Sequence, residues 1–330
     1  MKKTLVAIAA VVAATGAMAE STVTGFMQIG TNQTKTTVTG TATTATVLED
    51  SNANTAVNFT DVEDLGDGLK ATMVIGLLPS IASASTTGGQ TTYFALSGGF
   101  GELKAGKFGN DQFWTIVAGD STGYMGNNAA IVNNNFGTSG DATNWTANQV
   151  RYQLPTFVSG LSLAYTNKLG GATDGTGGAE TLFAGYTTGA FNAQVAATQF
   201  KYSTTATDTL TAIAASYDFG VAKVYALSTA AKITDEGTVN GRNIGVSIPL
   251  GAFTLMYNNS SADGYLFERS ITAVDQTNQE VAVTYAFSKK TTGWIYYNKY
   301  DGASAGQSTT GTADSTSGFT SLRFMITHAF

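Results

Sequence analysis

The sequence predicts an all-β protein, a transmembrane antiparallel β-barrel of about sixteen strands, an even number as such barrels require. Three observations lead there. Charged residues make up 12% of the 330 positions, about half of what a soluble domain carries. Large apolar residues recur with period two along many short segments, with small or hydroxylated residues on the other parity. Short and long connections alternate along the chain, the pattern of a closed barrel with tight turns at one end and long loops at the other.

Composition bounds the answer further. Hydrophobic residues reach 43% and Gly numbers 38, so the missing charge is replaced by small residues and the chain is not of disordered type. The absence of Cys excludes a disulfide scaffold, thiolate metal sites and a Cys nucleophile. Three Pro exclude a Pro-rich linker protein, and a pI near 4.8 argues against a nucleic-acid partner.

The chain begins with Lys2 and Lys3, then an apolar run from Leu5 to Ala14 ending in Ala17-Met18-Ala19. This predicts a secretory signal peptide over residues 1–19, cleaved to leave residues 20–330 as one barrel domain. The run is shorter than the ~20 residues of a spanning helix. Loss of the two lysines takes the formal charge from −6 to −8. No later run is long and apolar enough to span as a helix, so a membrane location requires a barrel.

The strands show themselves by parity. Leu161, Leu163 and Tyr165 alternate with Ser162, Ala164 and Thr166; Ile244, Val246, Ile248 and Leu250 alternate with Asn243, Gly245 and Ser247. Phe253, Leu255 and Tyr257 do the same, as do Val281, Val283, Tyr285 and Phe287. A soluble sandwich would need more charge on its outer faces, whereas a membrane barrel turns the greasy parity to lipid and the other to water. Tight turns are predicted around 64–68, 98–101, 154–160, 187–190, 218–220, 249–251 and 288–290. Long polar loops are predicted around 31–53, 79–90, 109–146, 170–179, 201–207, 231–239, 261–278 and 301–317. Phe100, Phe157, Phe191, Phe219, Phe253 and Phe287 sit at or beside six successive tight turns, and Phe330 ends the chain. Such a row builds an interfacial girdle.

These segments resemble the general porins of Gram-negative bacteria, in particular the trimeric sixteen-stranded group typical of betaproteobacteria. Glu63-Asp64-Leu65-Gly66-Asp67-Gly68-Leu69-Lys70-Ala71 resembles that family's EDLGxGLKA turn, and Leu96-Ser97-Gly98-Gly99-Phe100-Gly101 its GLSGGFG. Val150-Arg151-Tyr152 with Pro155, the stretch from Ala215 to Val224, and the ending Phe324-Met325-Ile326-Thr327-His328-Ala329-Phe330 follow in family order. The resemblance covers essentially all of residues 20–330. It implies a homotrimer in the cell outer membrane, surrounded by lipid and lipopolysaccharide, with a third long loop folded into the lumen. It also implies a terminal Phe330 read by the barrel-assembly machinery, and passage of ions and small hydrophilic solutes. The chain departs from the family at Phe59-Thr60-Asp61-Val62 and at Gly106-Lys107, where arginines are usual, and holds only four arginines. The family's charge preference therefore does not transfer.

Other motifs carry less. Residues 101–107 satisfy GxxxxGK, but Phe108 replaces the magnesium-holding Ser or Thr, and no helix is predicted to follow. His328 is the single His and falls on the lipid parity of the last strand, so neither a Ser-His-Asp triad nor a His metal site is available. Glu63 and Asp64 belong to a tight turn, where carboxylates bond backbone. No cofactor, metal or catalytic residue is expected. The pore-lining residues predicted are Lys70, Arg151 and Arg323 by parity, Lys107 at the end of a strand, and Asp111 and Asp120 in the longest loop, 109–146. The acids are expected to face the bases across the narrowest point and set a transverse field. A closed structural or adhesive barrel and an outer-membrane hydrolase are the alternatives; the small inward parity disfavours the first and the single His the second.

Overall fold

The computed structural model describes residues 20–38, 41–49, 55–78, 91–123, 145–170, 178–201, 207–267, 270–272, 274–302 and 318–330. Its first strand, β1 (Glu20–Val38), meets β2 in two segments, Thr41–Glu49 and Ala56–Gly66. Both segments run antiparallel to β1, the first from Thr41 opposite Val38 to Glu49 opposite Gly30, the second from Ala56 opposite Phe26. They occupy one position in the barrel. There follow β3 (Leu69–Leu77), β4 (Thr92–Gly98), β5 (Gly101–Gly109), a helix α1 (Asp111–Ala118), β6 (Trp145–Gln153), β7 (Leu161–Lys168) and β8 (Ala179–Thr188). The second half comprises β9 (Phe191–Lys201), β10 (Thr207–Asp218), β11 (Lys223–Ile233), β12 (Gly237–Leu250), β13 (Phe253–Ala262), β14 (Gln276–Ala286), β15 (Thr291–Asp301) and β16 (Gly318–Ala329). Every strand pairs antiparallel with its chain neighbours, and β1 pairs with β16, closing a barrel of 16 strands.

Closure leaves no free edge, the condition for strands in lipid, where an unpaired backbone group finds no water. At the seam Gly25 and Phe330 exchange both backbone hydrogen bonds, at 3.1 and 3.0 Å. The Phe330 ring lies against Gly25, whose missing Cβ would fall 1.9 Å from it. Parity sorts the wall as period-two chemistry demands. On β13, Phe253, Leu255 and Tyr257 are exposed outward while Met256 and Asn258 are buried inward; on β10, Ile213 faces out between buried Ala212 and Ala214.

The seven Phe residues at the turn end are all exposed outward. Tyrosines join them, Tyr217 on Phe219 (ring centroids 4.7 Å apart) and Tyr285 between Phe253 and Phe287 (4.7 and 4.9 Å). The tight turn from β2 to β3 follows its sequence: Gly66, Asp67 and Gly68 all take positive φ, and Asp64 Oδ1 accepts a hydrogen bond from the Gly66 amide. His328 stands on the outward parity, 2.9 Å from Thr291 Oγ1.

The loop end departs from the sequence expectation. Strict alternation of short and long fails there: 31–53 is mostly strand, and 231–239 contracts to a turn at Thr234–Glu236. Both stretches lack a greasy parity because they rise beyond the apolar band, yet their backbone still pairs in the ladders of β1, β2, β11 and β12. A small hairpin, Tyr265–Phe267 with Ser270–Thr272, occupies part of 261–278. A helix does follow residues 101–107, three positions after Phe108, but 101–107 is itself extended strand laddered on both sides and forms no phosphate loop.

Candidate functional site

The candidate site is the lumen where α1 enters it. Asn110 caps the helix, its Oδ1 accepting from the Phe113 amide at 2.8 Å, and Asp111 occupies the first turn, where a carboxylate complements the helix dipole. One helix face is apolar. Ile116 packs into a buried cluster with Leu210, Ala212 and Ala214 of β10 and Leu227 and Ala231 of β11. Gln112, also buried, accepts a hydrogen bond from Thr198 of β9 at 3.0 Å. The helix therefore lies on the inner wall of β9–β11, though its chain enters from β5.

At the base of this segment, Arg151 of β6 grips Asp111: Nε lies 3.1 and 3.0 Å from the two carboxylate oxygens and a terminal nitrogen 2.9 Å from Oδ1. Thr166 of β7 donates to Oδ2 at 3.0 Å. The ion-paired side chains are about nine-tenths buried, 10% and 8% exposed, so the fork geometry that favours Arg for carboxylates is fully used.

At the tip, chemistry changes. Asn258 of β13 donates to Asp120 Oδ1 at 2.7 Å and to Glu280 Oε2 of β14 at 3.2 Å, while its carbonyl oxygen accepts from the Ser121 amide and hydroxyl at 3.2 and 2.9 Å. Asn243 of β12 donates to the Gly119 carbonyl at 2.8 Å. Glu280 accepts further bonds from Asn278, at 3.0 Å, and from the Tyr296 hydroxyl. Gly245 makes the space, since a Cβ there would sit 2.2 Å from Asn258 Oδ1.

The predicted residues are placed as follows. Arg323 of β16 is buried on the inward parity, its guanidinium 5.7 Å from the centre of the Tyr296 ring. Lys70 has inward parity on β3, at the turn end of the lumen, opposite Asp64 and Ser97. Asp111 and Arg151 do not face one another across an opening; they are a bonded pair. Asp120 is buried in the tip network. Lys107 differs from expectation: it pairs with Thr92 and shares the parity of Leu103 and Ala105, the outward face. Lys104, of the opposite parity, points inward instead, over the rings of Phe108 (4.5 Å) and Tyr93 (5.1 Å). Period two along Glu102-Leu103-Lys104-Ala105 already carried that signal. Lys168 and Lys223 are inward as well; Lys168 continues the parity of Ser162, Ala164 and Thr166, a signal already present in the sequence. Residues 124–144 of the long loop lie outside the described residues.

A sixteen-stranded barrel with a chain segment laid against its inner wall is matched by sequence: the family model for Gram-negative porins covers residues 4–303. The chain belongs to the Gram-negative porins. It is thus a multi-pass outer-membrane β-barrel and a diffusion channel. Among solved structures this porin is similar to an anion-selective porin from Comamonas acidovorans, at 21% identity and a TM-score of 0.74 over 94% of this chain and 100% of that one. OmpF of Salmonella typhi, in complex with daunomycin, is similar at 12% identity and a TM-score of 0.70 over 95% and 100%. The trimer form of OmpT from Vibrio cholerae is similar at 13% and 0.65 over 94% and 99%. No curated protein matches the chain significantly.

Proposed function

We propose that this porin works as a homotrimer whose protomers each pass ions and small hydrophilic solutes by passive diffusion, with no chemical step and no cofactor. The observation that carries the reading is the segment 110–123, tied at its base to β6, along α1 to β9–β11 and at its tip to β12–β14, so that it is laid inside the barrel against the inner wall and takes up part of the lumen. Lys70, Lys104, Arg151 and Arg323 on the inward parity, with Asp111 and Asp120 on that segment, line the path, and the neutralised pair Asp111–Arg151 contributes little net field. Selectivity is weak: lumen lysines favour anions, while acids at the outer loops, Asp263 among them, lie beyond the ~8 Å Debye length from the narrowest point.

Trimerisation is supported by an asymmetry of the outer face. Outward tyrosines occur on β6, β7, β8, β10, β13, β14 and β15, and among the described residues none occurs on β1–β5. Lacking the outward tyrosines of the rest of the wall, the β1–β5 face suits contact with a second copy better than contact with lipid. Residues 1–19 serve as a cleaved signal peptide in this reading and lie outside the described residues. Phe330 serves as the signal for the barrel-assembly machinery, and lipopolysaccharide surrounds the remaining wall.

Planar-bilayer recording of the purified protein tests the proposal. Step conductances in groups of three, increased by removing about ten residues from the loop beyond residue 123, are expected; an intact barrel that conducts nothing overturns it. Deleting Phe330 is expected to abolish most outer-membrane insertion, checked by heat-modifiable mobility of membrane fractions.

A further inference from the structure

Beside the segment that carries α1 the wall has a niche that simple diffusion does not require. A cavity of about 310 Å³ opens between α1 and the inner wall of β2–β5, lined by Asn58, Gly76, Tyr93, Lys104, Phe108 and Trp114 among others. That volume is at the small end of ligand sites, about 300–1,000 Å³. Its walls are aromatic. Tyr93 and Phe108 meet edge to face at 6.2 Å and 83°. Trp114 leaves 48% of its surface exposed, and its indole N–H is already committed to the Gly109 carbonyl at 3.2 Å, which fixes the ring. Exposed aromatic area in a water-filled lumen is unfavourable at about 25 cal/mol per Å², so a flat partner laid on it recovers free energy.

The niche also has a defined polarity. Lys104 Nζ stands over the two wall rings, and its side chain is 18% exposed. The groups facing it are Glu102, whose Oε1 lies 4.0 Å away, beyond a hydrogen bond, and Arg151, its register partner on β6. Asp111, the other nearby acid, is consumed by Arg151 and Thr166. A second cation here would meet Lys104 and Arg151 together, and the faces of Tyr93 and Phe108 are already taken by the lysine. An anion instead gains an ammonium with unspent donors and the Asn58 side chain across the niche.

We propose that this niche is a binding site for small planar carboxylates, an aromatic ring stacked on Trp114 with its carboxylate held by Lys104, so that the porin passes such anions through a weak saturable site and not by size alone. The proposal rests on the channel reading above, and the test separates the two. Benzoate, acetate and benzylammonium are added in turn to single channels recorded in KCl. Benzoate is expected to interrupt the current with a frequency proportional to its concentration, while acetate and benzylammonium do not. Lys104→Met and Trp114→Leu are each expected to shorten the interruptions about tenfold, the effect of losing one charge-assisted or stacking contact. A normal KCl conductance with benzoate indistinguishable from acetate overturns the niche and leaves the channel standing; absence of KCl conductance overturns the channel itself. Equal block by benzylammonium, or interruptions unchanged in both variants, also overturns the site. Should a variant fail to insert, the three-solute comparison on the unmodified protein decides alone.

Discussion

The two ends of the lumen segment are held by different chemistry. At its base one ion pair, Asp111 with Arg151, is buried together with the apolar contact of Ile116 on β10 and β11. At its tip the holding groups are amides and hydroxyls, Asn243, Asn258 and Ser121, arranged around the carboxylates of Asp120 and Glu280. A buried ion pair is steep: removing one partner leaves a charge stranded, at a cost of ~3–5 kcal/mol. An amide network is shallow, each neutral bond contributing ~0.5–1.5 kcal/mol net and about twice that when a carboxylate accepts. The base therefore fixes where the segment starts, and the tip sets how firmly its far end is held to the wall.

The largest break comes from Arg151→Leu, which leaves the buried Asp111 without its ion-pair partner, held by Thr166 and the helix N-terminus. Single-channel conductance is expected to rise and to fluctuate, with the barrel still resistant to detergent unfolding in the cold; an unchanged, quiet conductance would show that the base pair does not hold the segment. Next is Ile116→Ala, which opens a cavity in the helix–wall cluster and costs ~2–5 kcal/mol, lowering the midpoint of thermal unfolding without changing selectivity. Smaller is Asn258→Ala, which removes the bonds to Asp120, Ser121 and Glu280 together. It is expected to leave mean conductance near its original value while increasing open-channel noise, read from current power spectra. The smallest effect sharpens the account of the wall itself. Lys104→Glu reverses a charge in the lumen and is expected to move the reversal potential in a salt gradient clearly toward cations, whereas Lys107→Glu, on the outward face, is expected to move it little. Equal shifts would contradict the register of β5.

Much of this architecture was legible in the chain. Outward Phe253, Leu255 and Tyr257 and inward Met256 and Asn258 follow from alternation, because neighbouring side chains in a strand point to opposite faces and lipid accepts only one kind. The turn at Gly66-Asp67-Gly68 was legible for a related reason: three successive positive φ values suit few residues, and those residues are written there. The rise of β1 and β2 above the band was not, since residues 31–49 carry no apolar parity to report a strand that pairs in water. Lys104 was legible by parity beside Leu103 and Ala105. Lys107 continues the outward parity of Leu103 and Ala105, and the expectation that it lines the pore followed its charge and not its position in that alternation.

The sequence by itself determined the barrel, its membrane-facing side and its tight-turn end, because each depends on periodicity within a few consecutive residues. Only the tertiary structure decided the partners of the lumen segment. Asp111 and Arg151 are forty positions apart and Asp120 and Asn258 one hundred and thirty-eight, and nothing in a local pattern specifies which polar groups a closed wall will bring within three ångströms. An acid read alone looks like a charge lining a pore; once folded against Arg151 it becomes a buried, neutralised anchor, because a low-dielectric interior favours a carboxylate paired over one left alone.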